Sequence, residues 1–162
     1  MKRPLLIGYG NCLREDDAVG WHAVERINTD ADIVQCRQLT PELAPKIAQA
    51  SIVVFFDAAI DQEPGSIHEA RVSPDAFESW THHVSPGQLL AMAKQLTGCM
   101  PAAFLITGGV RRIGWSECLS SEGETTAQAM ADRAATLLNK SAAVDRRPAY
   151  PRSVSCPAES EE

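Results

Sequence analysis

Three short polar clusters in this sequence hold side chains able to do chemistry. Gly8-Tyr9-Gly10-Asn11 is followed closely by Arg14-Glu15-Asp16-Asp17, Asp57 closes an apolar run, and His82-His83 stands just ahead of Ser85-Pro86. Two carboxylates and an imidazole suit a borderline divalent ion such as Ni²⁺, Zn²⁺, Mn²⁺ or Fe²⁺. Three protein ligands leave coordination positions open for a substrate. Each residue also has an ordinary reading. An aspartate at a helix start caps exposed amides, an aspartate at a strand end closes a turn, and adjacent histidines are no ligand signature by themselves. The glycines suggest the dinucleotide fingerprint G-x-G-x-x-G. Its third glycine position holds Leu13, however, and the acids that follow would repel a pyrophosphate. The glycines better suit a sharp turn that leaves room for close approach to the backbone.

What could bring the clusters together is the order of the elements around them. Pro4 to Tyr9 is a short apolar run closed by glycine, which predicts a buried strand. Asp16 and Asp17 open a helical pattern with Val19, Ala23, Val24 and Ile27 on one face, the aspartates serving as its cap. Asp32 to Leu39 reads as a second strand and Pro41 to Ala50 as a short helix. Ser51 to Phe56 (SIVVFF) is apolar on both faces, the mark of a parallel sheet covered by helices, and it ends at Asp57. Gln62 to Gly65 is a turn before an alternating edge strand, Ser66 to Val72. Ser85-Pro86 opens a helix whose buried stripe is Leu89, Leu90, Ala93 and Leu96. Ala102 to Thr107 is a further core strand. Ser121 to Asn139 forms the last helix, with Ala127, Met130, Ala134, Leu137 and Leu138 inward. The expectation is an α/β three-layer sandwich, a mostly parallel twisted sheet of about five strands with helices on both faces. In such sheets sites lie outside the carboxyl ends of the strands, where all three polar clusters fall.

The totals narrow the field of functions. A chain of 162 residues fits one domain. Its formal charge of −6 lacks the basic face that neutralises phosphates, so no nucleic-acid partner is expected. The initial apolar run is broken by Gly8 and Gly10, which suits a first strand rather than a signal peptide. No stretch approaches the roughly 20 apolar residues of a membrane span. Cys12, Cys36, Cys99, Cys118 and Cys156 are scattered, odd in number and without a C-x-x-C pair. That pattern fits reduced thiols in a cytoplasm and excludes a thiolate zinc finger. The domain is expected to span residues 1–139. Residues 140–162 turn to Pro, Ser and mixed charge, a composition expected to stay disordered.

The stretch Gly8-x-Gly10-Asn11-x-Leu13-x-x-Asp16-Asp17-x-x-Gly20 resembles the N-terminal signature of the [NiFe]-hydrogenase maturation endopeptidases. The strand ending in Asp57-Ala58, the His82-His83-Val-Ser-Pro-x-x-Leu-Leu segment and a late strand and helix follow in that family's order. The resemblance spans roughly residues 4 to 139. It implies an endopeptidase that removes a C-terminal extension from the hydrogenase large-subunit precursor once nickel is in place. The nickel ion is then carried by the substrate, and other divalent metals can take the same place. The resemblance implies metal contacts at Asp17, Asp57 and His82, with His83 as the alternative one residue on. Asp17 and Asp57 are the catalytic candidates, and Glu15 and Asp16 are nearby substitutes for Asp17. The competing function is a nickel-checking binding partner that holds the precursor without cutting it.

Overall fold

In a computed structural model of the chain, which describes residues 2–75 and 84–145, strands and helices alternate as the hydrophobic pattern requires. In chain order they are β1 (Leu5–Tyr9), α1 (Val19–Glu25), β2 (Asp32–Cys36), α2 (Ala44–Gln49), β3 (Ile52–Ala59), β4 (Ile67–Arg71), α3 (Pro86–Thr97), β5 (Ala102–Gly109) and α4 (Ser121–Asp145). The sheet order is β2-β1-β3-β5-β4. Its pairings are parallel except for β4, which runs antiparallel to β5 at one edge. Among the described residues, no helix is long and apolar enough to cross a membrane.

The period of two along each strand divides the apolar side chains between two cores. Leu6, Val54, Phe56 and Ile106 face α1 and α4 on one side of the sheet. Leu5, Ile7, Val53, Phe55 and Ala103 face α2 and α3 on the other. This is why SIVVFF is apolar throughout: neither face of β3 meets water. Phe55 and Phe56 are wholly buried on opposite faces, and burying each stabilises the fold by about 1.5–3 kcal/mol. The three-layer sandwich read from the sequence is the architecture found.

The side chain absent from Gly20 sets how closely α1 lies on the sheet. A Cβ there would stand 2.4 Å from the Phe56 carbonyl oxygen of β3. A Cβ on Gly8 of β1 would stand 2.3 Å from the Gly20 carbonyl oxygen. Backbone therefore packs on backbone, and the molecule's own helix fills the room that the glycines leave.

Several boundaries depart from expectation. β2 stops at Cys36 rather than Leu39, because β1 turns away at Gly10 after a last ladder bond from the Gly10 amide to the Cys36 carbonyl (3.2 Å), which also accepts from Trp21 Nε1 (2.9 Å). β3 continues past Phe56 to Ala59, so Asp57 lies within the strand, in register with Thr107 of β5. Leu96 does not belong to the buried stripe of α3. It is 62% exposed, because the helix leaves the core after Ala93 and every residue from 94 to 100 faces solvent. Ser85 does open that helix, its hydroxyl accepting from the Gln88 amide while the Gln88 side chain returns to the Ser85 amide. The last helix runs past Asn139 to Asp145.

Candidate active site

From β1 the chain crosses through α1 to β2 on one side, then through α2 to β3 on the other, leaving β1 between them. Strand order thus reverses at the carboxyl ends of β1 and β3, the place where open α/β sheets form a crevice. A cleft of about 420 Å³ occupies it, with Tyr9, Asn11, Asp17, Arg37, Asp57 and Val84 in its wall.

The turn out of β1 begins at Gly10, whose φ of 140° is open to glycine and closed to most other residues. A Cβ there would also meet the Asp17 carbonyl oxygen at 2.1 Å. The following loop folds back on itself: Leu13 N–H donates to Asn11 Oδ1 (3.1 Å), and Asn11 N–H donates to Asp17 Oδ2 (2.7 Å). This second bond draws the Asp17 carboxylate towards the end of β1.

Glu15, Asp16 and Asp17 lie in a short 3-10 turn, Glu15–Ala18, ahead of α1. Asp16 and Asp17, one 3-10 step apart, leave the axis about 120° from each other, and Glu15 has a left-handed φ of 51°, so the three acids go three ways. Glu15 accepts from Gly114 N–H (3.1 Å) and pairs with Arg112 Nε (3.3 Å). Asp16 is 1% exposed and accepts from both the Ser120 amide (2.8 Å) and the Ser120 hydroxyl (2.7 Å). The Ser120 hydroxyl in turn accepts from Gly123 N–H at the start of α4, so Asp16 secures that helix end. Only Asp17 reaches the cleft. Neither aspartate caps α1, whose start has no side-chain cap. The capping role read from the sequence is corrected here: both carboxylates are committed elsewhere.

Asp57 enters the cleft from β3, half-buried. Its Oδ1 accepts from the Ala58 amide (2.9 Å), and the Tyr9 hydroxyl donates to it. Its carboxyl is pushed up to about 6, mainly by burial. The Tyr9 and Ala58 hydrogen bonds oppose that shift and the nearby charge of Asp17 adds to it. Burial, then the Asp57 charge and hydrogen bond, push the Tyr9 phenol far up, so it stays a donor. Burial also raises the Cys36 thiol, which argues against a thiolate nucleophile beside the cleft.

The structure therefore brings Asp17 and Asp57 together and sets Glu15 and Asp16 aside. His82 and His83 lie outside the described residues, and Val84, the first residue described after them, lines the cleft. Among the described residues no group of three His, Cys, Asp or Glu side chains is placed to hold a metal ion. Two carboxylates in one cleft, the Asp17 charge disfavouring ionisation of Asp57, nevertheless suit a divalent cation, which relieves that repulsion. Sequence reasoning placed Tyr9 in the first polar cluster without giving it a role, and missed Arg37 and Gln38. Tyr9 was readable as the last residue of β1, one strand away from Asp57. Arg37 and Gln38 carried no signal, because the early end of β2 puts them in the wall.

No protein-family model matches the chain, and no curated protein matches it in sequence. Solved structures do. The hydrogenase maturating endopeptidase HybD from E. coli has a TM-score of 0.67 at 22% identity, covering 86% of this chain and 93% of that one. The [NiFe] hydrogenase maturation protease HycI from Thermococcus kodakarensis is 27% identical, with a TM-score of 0.65 over 85% of this chain and 93% of its own. A hydrogenase 2 maturation peptidase from a Thaumarchaeota archaeon gives 0.60 at 23% identity, over 85% and 98%. The chain shares the fold of these hydrogenase maturation endopeptidases, the family that its N-terminal motif resembles.

Proposed function

We propose that this chain, built on the fold of the hydrogenase maturation endopeptidases, cuts the C-terminal extension from a nickel-loaded [NiFe]-hydrogenase large-subunit precursor. One observation carries the reading: Asp17 and Asp57, forty residues apart on different elements, converge in one cleft at the reversal of strand order. Nickel belongs to the substrate. Asp17 and Asp57, joined by His82 or by His83 in its place, occupy coordination positions that the incoming ion still has free. A precursor without nickel offers them nothing to hold, so metal loading is checked before the cut.

Hydrolysis adds water across the scissile amide, hydroxide to the carbonyl carbon and a proton to the leaving amine. A carboxylate oxygen of Asp17 or Asp57 that the ion leaves free accepts the proton from that water. Tyr9 keeps the Asp57 carboxylate oriented without competing as a base. The substrate's ion supplies positive charge that polarises the carbonyl or the water.

The test is the mass of the large subunit after incubation with the protein. Loss of the extension is the expected result, abolished by Asp17→Asn and by Asp57→Asn with both variants still folded. Asn keeps the size and the turn-forming ability of Asp but not its charge. Full processing by both variants overturns the mechanism. Tight binding of precursor without any cut by the wild type identifies a nickel-checking partner instead.

A further inference from the structure

Most arginines of this chain are engaged by the chain itself. Arg3, Arg26, Arg112 and Arg133 each pair with a carboxylate, and Arg14 lies over the Trp115 ring. Arg37 differs. It stands in the wall of the cleft with Asp17 and Asp57, the one basic side chain among the described lining residues. Yet among the described residues it pairs with neither of them nor with any other acid.

Its backbone is fixed from both sides. The Cys36 carbonyl, just before it, accepts from the Gly10 amide (3.2 Å) and from Trp21 Nε1 (2.9 Å). Leu39, two residues on, is buried in the core beneath α2 and α3. Between these anchors the Arg37 side chain is exposed. The strand registers give its distance from the carboxylate. Cys36 is level with Tyr9 of β1, and Gly8 is level with Phe56 of β3. Tyr9 is then level with Asp57, and Arg37 begins one residue beyond. Two strand spacings separate the backbones of Arg37 and Asp57, roughly 10 Å. That gap leaves room for a substrate group between guanidinium and carboxylate.

We propose that Arg37 is the anion-binding residue of this cleft: its guanidinium takes the negative charge that develops on the scissile carbonyl oxygen, and then the carboxylate left on the large subunit. The inference rests on the function proposed above and adds to it a residue that touches the reacting atoms. Attack on the carbonyl carbon puts one negative charge on its oxygen. Collapse of the adduct breaks the C–N bond, and the leaving nitrogen takes the proton that the aspartate had accepted from water. The new acid then gives up its own proton to solvent or to the freed amine. Asp17 and Asp57 face the substrate's ion throughout, so Arg37 has no assigned counter-charge until the reaction makes one. A guanidinium offers paired N–H donors to a carboxylate, and a charge set in place beforehand stabilises an oxyanion without reorganising.

The experiment follows processing of the nickel-loaded precursor by wild type, Arg37→Ala and Arg37→Lys over a range of precursor concentrations. In Arg37→Ala kcat is expected to fall roughly a hundredfold, as on loss of one oxyanion donor, with KM changed far less. Arg37→Lys keeps the charge without the paired donors and should fall between the two. Guanidinium ion at millimolar concentration should restore part of the rate of Arg37→Ala and none of that of Asp17→Asn. Arg37 is exposed, and an unchanged unfolding midpoint confirms that the variants fold. Wild-type kcat and KM in Arg37→Ala overturn the assignment and leave the proposed function standing. A raised KM with kcat unchanged overturns it too, since Arg37 would then hold an acidic side chain away from the reacting atoms. A fall in kcat that neither lysine nor added guanidinium relieves makes the role structural, with the same consequence. No cut by the wild type overturns both readings.

Discussion

Asp57 works at a cost to the fold that carries it. Its ordinary carboxyl value is 3.8, and in the cleft it is pushed up to about 6, so the native state holds the proton more tightly than the unfolded chain does. Protonation therefore favours folding. The Asp57 contribution is most favourable below about pH 4 and is lost as pH rises from there to about 6. The full shift corresponds to an upper bound of roughly 3 kcal/mol, since one pKa unit is about 1.4 kcal/mol. Asn at this position keeps an acceptor for the Ala58 amide and cannot ionise. Asp57→Asn is thus expected to be more stable than wild type at pH 7, by roughly 1–3 kcal/mol, with the difference gone near pH 4. Urea unfolding at the two pH values checks this. A variant less stable than wild type at pH 7 would show that the carboxylate is not strained by its surroundings. Asp16 is the structural counterpart: deeply buried, doubly hydrogen-bonded to Ser120, and outside the wall of the cleft.

The elements were readable from the sequence where burial dictates residue type. SIVVFF reads as an interior strand, and Ser85-Pro86 reads as the opening of a helix. Direction was not readable. Whether Glu15, Asp16 or Asp17 reaches the cleft depends on the turn ahead of α1 being 3-10 and not α-helical, and nothing in three consecutive acids states that. The wall formed by Arg37 depends likewise on β2 losing its partner where β1 turns away at Gly10, a tertiary event. The glycines were readable as close-approach positions, though not by what. It is α1 that comes close, and this gives a prediction at the scale of the element. In Gly20→Ala the new methyl must displace the Phe56 carbonyl oxygen, 2.4 Å from where its Cβ would stand. No side chain is there to yield, so α1 must lift from β1 and β3. Alanine's better helix propensity recovers at most about 1 kcal/mol, whereas overpacking typically costs about 1–3 kcal/mol or more. Net destabilisation is expected. Because α1 begins just after Asp17, the metal affinity proposed for the cleft should fall with it. A neutral or stabilising Gly20→Ala would contradict the close packing of backbone on backbone.

At the scale of the molecule, one sheet separates two cores, and the two carboxylates proposed to act lie at its carboxyl end. The opposite end has the work of closing the cores, and there α4 has the largest share. Leu137 and Leu138 are each 8% exposed, the last buried residues of the core on the α1–α4 face. Composition alone placed the domain's end at Asn139, directly after them, because Lys140 and Ser141 begin a polar stretch. The helix instead continues to Asp145, with the Ser141 hydroxyl donating to Leu137 O (3.2 Å). Helix ends fray over roughly their last turn, so these added residues keep the fraying away from the two leucines. Two truncations separate the boundaries. A chain ending at Asp145 is expected to unfold at the full-length urea midpoint, because the residues removed are poor in the apolar side chains that would repay ordering. A chain ending at Asn139 puts Leu137 and Leu138 in the final turn. It is expected to lose about 1–2 kcal/mol, within the usual range for partial loss of buried apolar side chains, while Asp17 and Asp57, at the far end of the sheet, keep their metal affinity. Equal midpoints for the two truncations would place the boundary back at Asn139. A full-length chain clearly more stable than the one ending at Asp145 would show that the final residues pack on the domain.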